Sequence, residues 1–154
     1  NSGRQYAAIT EKCFINAPFE QLRDGSLLEL FIDNRLHPEI GLEGNSLWEV
    51  SRDEFQNLAE ILQKHELSCT LHAPFSDLSP GGIEQRIVEL TREKLNRAFR
   101  LLPIFKPHSI VCHLGFEENK HRAKFDRWLT TALETWTSLL ETARRYNTRV
   151  MFEN

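Results

Sequence analysis

Apolar positions along this chain fall into two alternating kinds of segment. Short runs, continuous or alternating with period two, read as strands: Phe14–Phe19, Glu39–Gly44, Thr70–Phe75, Ser109–Gly115 and Thr148–Asn154. The longer segments between them carry apolar residues at helical spacing. Leu27, Leu28, Leu30, Phe31 and Leu36 make a first helical stretch, ended by His37-Pro38. Ser51 to Leu67 starts on a capping box, Ser51 with Glu54, and sets Phe55, Leu58, Ala59 and Leu62 on one face. A long helix is predicted from about Ile83 to Phe105, buried through Ile83, Ile87, Leu90, Leu95, Ala98, Phe99 and Leu102. Pro103 should kink or stop it. The last helix keeps its spacing from Phe125 through Trp128, Leu129, Ala132, Leu133, Trp136, Leu139 and Leu140 to Ala143. That tryptophan stripe reads as core packing and not as a cofactor box.

Strands that alternate with single helices pair in parallel through right-handed crossovers. Helices amphipathic in this way cover one face of the sheet, and a parallel sheet covered on one face curls towards a barrel. The predicted fold class is therefore α/β, a (β/α)8 TIM barrel of which these residues supply the first five β/α units. The whole is expected to form a single domain, the N-terminal part of a barrel of roughly 250 residues or more. The alternative is an open doubly wound sheet, but no glycine fingerprint follows the first strand.

The strand ends carry the candidate chemistry. The third strand delivers His72 to its last turn, and Pro74 and Pro80-Gly81-Gly82 stop it there. The fourth ends in Cys112-His113-Leu114-Gly115 and the fifth in Phe152-Glu153-Asn154, each about one βα unit further on. Side chains alternate along a strand, so His72, His113 and Glu153 share the inner face, while Cys69 and Cys112 turn towards the helices. A strand histidine by itself reads first as a hydrogen-bonded core residue. Three such residues at matched positions on consecutive strands read as a metal site. Two neutral imidazoles and a carboxylate suit zinc, with manganese or cobalt as alternatives.

Glu39 and Glu43 share a face of the second strand, placed either to orient ligands from behind or to pair with arginines. The loop after the fourth strand carries Lys120 and Arg122, candidates for holding a substrate phosphate, or else a solvated helix start. His108 and His121 are expected at the surface.

Composition narrows the partners. The chain has 154 residues, 40% of them hydrophobic, and a net charge of −3. An acidic balance disfavours nucleic acid without excluding it, and no apolar run is long enough for a membrane span. The three cysteines, Cys13, Cys69 and Cys112, are odd in number and read as reduced, buried thiols of a cytoplasmic protein. The opening residues, up to about Lys12, read as a leader or tag remnant.

The Leu71-His72-Ala73-Pro74-Phe75 strand end, its Asp77-Leu78-Ser79-Pro80-Gly81 exit, Cys112-His113-Leu114-Gly115 and the closing Phe152-Glu153-Asn154 together resemble the xylose isomerase-like TIM barrels. The resemblance runs from about Cys13 to Asn154. That superfamily holds sugar-phosphate isomerases and epimerases, and phosphodiesterases of the endonuclease IV type. It implies that Glu153 is the fifth-strand glutamate that binds metal in both branches and acts in catalysis. His72 and His113 match histidines that complete a zinc site in the endonuclease IV branch. The single-metal isomerases take their other ligands from strands six to eight, which lie outside this sequence. The leading expectation is thus a metal-dependent sugar or sugar-phosphate isomerase or epimerase. The alternatives are a zinc phosphodiesterase and a non-catalytic fragment, and the fragment alone is expected to self-associate.

Overall fold

A computed structural model describes residues 10–153, so most of the proposed leader lies outside the described residues, as does Asn154. Five strands pair in parallel in the order β1 (Phe14–Pro18), β2 (His37–Gly41), β3 (Thr70–His72), β4 (Ser109–His113) and β5 (Arg149–Glu153). Sequential neighbours in one parallel sheet are what strict strand–helix alternation predicts.

Alternation along each strand separates the two faces. Ala17, Ile40, Leu71, Ile110 and Cys112 enter one apolar core shared with the helices. Their neighbours Glu39, Thr70, His72, Val111 and His113 lie on the other, concave face. The principal helices are α2 (Ser26–Asp33), α4 (Arg52–Lys64), α5 (Gln85–Phe99) and α8 (Phe125–Arg145). Short turns flank them: α1 (Phe19–Arg23), α3 (Ser46–Glu49), α6 (Leu102–Phe105) and α7 (Glu118–His121). The capping box of α4 forms as its spacing predicts: Glu54 N–H donates to Ser51 Oγ, and Ser51 N–H donates to Glu54 Oε2 at 3.1 Å.

Several boundaries differ from the sequence reading. The second strand begins at His37, so His37-Pro38 opens β2 instead of ending a helix. Proline's fixed φ suits an extended strand start, and β2 pairs with β3 only from Glu39 onward. The long helix breaks at Arg100-Leu101, ahead of Pro103, which sits inside the first turn of α6. In α5 the buried row runs through Val88, Thr91 and Leu95, while Ile87 and Leu90 are about half exposed. Periodicity alone assigned too wide a stripe to that helix. In α8, Trp128, Ala132, Trp136, Leu139 and Ala143 are buried, but Phe125, Leu129, Leu133 and Leu140 face outward. Cys13 is exposed, whereas Cys69 and Cys112 are buried.

The loop after β3 is fastened to two helices. Ser79 N–H donates to Thr91 Oγ1 on α5 at 2.9 Å, and Thr135 Oγ1 on α8 donates to the Pro80 carbonyl at 2.8 Å. Gly81 allows this approach: a Cβ there would stand 2.5 Å from Trp128 Nε1 and 2.7 Å from the Trp128 carbonyl oxygen. Since one of those neighbours is helix backbone, Gly81→Ala is expected to destabilise the fold by about 1–3 kcal/mol. A thermal melt within experimental error of the parent would show that the loop is not so held.

Candidate metal centre at the sheet mouth

His72 and His113 come from the C-terminal ends of adjacent strands and from the same face. In the β3–β4 register His72 stands opposite Val111, which places His113 one inward-facing position further towards the mouth. His113 in turn stands opposite Glu153. Convergence of all three follows from that stagger. His72 Nε2 lies 3.1 Å from His113 Nε2, and His113 Nε2 lies 3.5 Å from Glu153 Oε2. One donor atom from each of the three residues fits within 4.8 Å of the others. Donors on a tetrahedral zinc ion with bonds near 2.0–2.1 Å stand about 3.3 Å apart, so two of the three separations already match.

The surroundings orient these donors. Glu39 Oε1 stands 3.2 Å from His72 Nδ1, where a carboxylate accepts the Nδ1 proton and leaves Nε2 as a lone pair facing the site. Phe75 stacks on the His113 ring at 4.0 Å between centroids, with planes inclined by 17°. Phe75 is placed by Glu43, whose Oε1 accepts the Phe75 N–H at 2.6 Å. Glu39 therefore sits directly behind a histidine, while Glu43 clamps the turn that carries that ring's platform. Exposure grades across the site: the side chains of His72 and Glu39 are 14% and 24% exposed, and that of Glu153 is 57% exposed. Of the two carboxylates that flank the histidines, Glu153 is the more exposed.

Neither thiol joins this set. Cys69 and Cys112 lie on the helix side of the sheet, and burial pushes both up to about 12. Thr70 Oγ1, on the concave face below His72, is buried without a hydrogen-bond partner.

A cavity of about 470 Å³ opens beside the trio, between the loops that leave β3 and β4, with His113 and Glu153 on its rim. Lys120 lines it, held to Glu117 at 2.8 Å. Arg122 does not line it; its guanidinium pairs with Glu118 at 3.2 Å and is largely exposed. Two residues apart, the two cations point about half a helical turn away from each other, so of Lys120 and Arg122 only Lys120 faces this cavity. His121, foreseen at the surface, is 5% exposed and lines the same cavity. Its burial was not legible from sequence, since it stands among charged residues in a loop. The one available signal was its spacing from Trp128, seven residues or two helical turns on.

The fold recurs in known proteins. The curated uncharacterised protein MJ1311 of Methanocaldococcus jannaschii is 27% identical over 116 residues, covering 75% of this chain and 39% of its own length. Among solved structures, a D-tagatose 3-epimerase-like protein superposes with a TM-score of 0.71 at 21% identity, over 92% of this chain and 53% of the other. The TTHB071 protein of Thermus thermophilus, soaked with zinc chloride, superposes with a TM-score of 0.72 at 19% identity, over 92% of this chain and 55% of the other. This chain thus spans between two fifths and somewhat over half of the proteins it matches. The family model of the xylose isomerase-like TIM barrel matches residues 28–154, and the chain belongs to that family.

Proposed function

We propose that this chain is the N-terminal part of a divalent-metal-dependent isomerase or epimerase acting on a sugar or sugar phosphate at the C-terminal mouth of the barrel. The observation that carries the reading is the convergence of His72, His113 and Glu153 donor atoms within 4.8 Å at the ends of three strands. Zinc suits two imidazoles and a carboxylate best, with manganese or cobalt as alternatives. A bound ion there would polarise a substrate carbonyl or hydroxyl oxygen.

The chain's own residues supply the rest. Glu39 keeps His72 in the tautomer that offers Nε2. Phe75 covers one face of the His113 ring and keeps water off it. Glu153, the most exposed of the three, reaches both ion and substrate, and is the candidate base for removing a proton next to the carbonyl. Lys120 is the one lysine or arginine lining the cavity, and Glu117 holds it at 2.8 Å.

A second reading has a specific observation behind it. Two histidines in the donor set suit a zinc phosphodiesterase of the endonuclease IV type. The net charge of −3 counts against a partner whose affinity comes from neutralising phosphates. A non-catalytic role is the third reading.

Assays on the full-length, metal-loaded protein separate the three. Metal-dependent interconversion of ketoses or their phosphates, lost in Glu153→Gln by at least about a hundredfold, is the expected result. Cleavage of abasic-site DNA without sugar turnover would establish the second reading, and neither activity would leave the third.

A further inference from the structure

His121 is built into the cavity in a way that none of the roles above requires. Its Nδ1 accepts the backbone N–H of Glu117 at 2.8 Å, which closes the loop leaving β4. Its ring lies against Phe116 and Trp128, with centroids 5.7 and 6.0 Å away. Because Nδ1 is the acceptor, the neutral ring carries its proton on Nε2. That Nε2–H has no protein partner among the described residues and, unlike the sealed Nε1 of Trp128, is open to the cavity that His121 lines. A donor fixed in direction and open to a cavity is available to whatever acceptor the cavity holds.

The rest of the wall says what that acceptor is. Asp77, Glu117 and Glu153 offer carboxylate acceptors, Phe75 and Phe116 offer apolar rings, and Lys120 is the one lysine or arginine, already neutralised by Glu117. Carboxylates repel a phosphate but accept from hydroxyls, and aromatic faces suit the C–H side of a carbon chain. We propose that this cavity seats the uncharged, polyhydroxyl end of the substrate, and that His121 Nε2–H is the donor that orients it. The assignment rests on the sugar reading of the same site and narrows it: any phosphate is held elsewhere, away from this wall.

The test uses the full-length protein with 15N-labelled histidines and D-sorbitol as probe. Sorbitol has no carbonyl and cannot be turned over, so binding is read apart from activity. Sorbitol is expected to shift the His121 Nε2–H resonance at saturable concentration. Asn at this position keeps an acceptor for Glu117 N–H but no donor at Nε2, and Gln does the reverse. His121→Asn should therefore weaken sorbitol binding about tenfold, with His121→Gln within about threefold of the parent. The opposite ranking, or parent-like binding in both, would reduce His121 to a loop fastener and overturn the proposal. If both variants lose binding, the parent resonance decides, and no shift there refutes the assignment. Inorganic phosphate displacing sorbitol at lower concentration, in a Lys120-dependent way, would overturn the uncharged class. A sorbitol response without isomerase activity would sink the proposed function and keep this subsite; activity without the response would do the reverse.

Discussion

Full-length protein purified without chelator is expected to retain bound zinc, and His113→Ala to lose it. His113 Nε2 is central to the site, 3.1 Å from one proposed ligand and 3.5 Å from the other, so its removal leaves His72 and Glu153 without the donor that links them. Replacing a residue that only orients a ligand typically costs 10–100-fold in metal affinity. Glu39→Gln, which leaves all three donors but weakens the hold on His72 Nδ1, is expected to fall in that range of about 10–100-fold. His113→Ala should exceed it. Metal analysis with competition by a chelator of known affinity measures both. Unchanged zinc content in His113→Ala would take His113 out of the site, and unchanged affinity in Glu39→Gln would reduce the carboxylate to an unrelated neighbour.

Architecture and the three convergent residues were legible in the sequence for one reason: period-two alternation and strand-ending prolines report directly on which face and which end a side chain occupies. His72, His113 and Glu153 needed only that, together with parallel pairing, to be brought together. What escaped depended on contacts between loops. Arg122 and His121 are sequence neighbours, yet one points to solvent and the other is buried against Trp128. No periodicity governs a four-residue helical turn, so charge and position in the loop pointed to Arg122, which does not line the cavity, and not to His121, which does. Pro38 escaped for a related reason. Proline is a helix stop by sequence, but it is equally at home at the start of a strand that has its partner on one side there. The exposed half of the α8 stripe shows the limit of an amphipathic pattern, which counts apolar positions without knowing how many neighbours exist to cover them.

That uncovered surface leads to the last expected result: the 154-residue polypeptide, expressed by itself, self-associates. Among the described residues, β1 and β5 each pair with one strand only, so each presents a row of unpaired backbone donors and acceptors. Edges of this kind are templates for pairing with another chain. The side chains beside β5 are apolar and wet: Met151 is 51% exposed and Phe152 41%. Leu133 and Leu140 on the adjoining helix are 57% and 41% exposed. Covering a side chain of this size contributes roughly 1.5–3 kcal/mol, so even partial burial of these four favours association. Sedimentation of the polypeptide should show oligomers or aggregates at micromolar concentration, and Met151→Lys, a charge set on the open edge, should shift the distribution towards monomer. The full-length protein, whose further strands would cover β5, should sediment as one discrete species. A dilute, stable monomer of the same polypeptide with native-like near-ultraviolet circular dichroism would sink the argument. Five β/α units would then be self-sufficient, and the exposed row along β5 and α8 would need no cover at all.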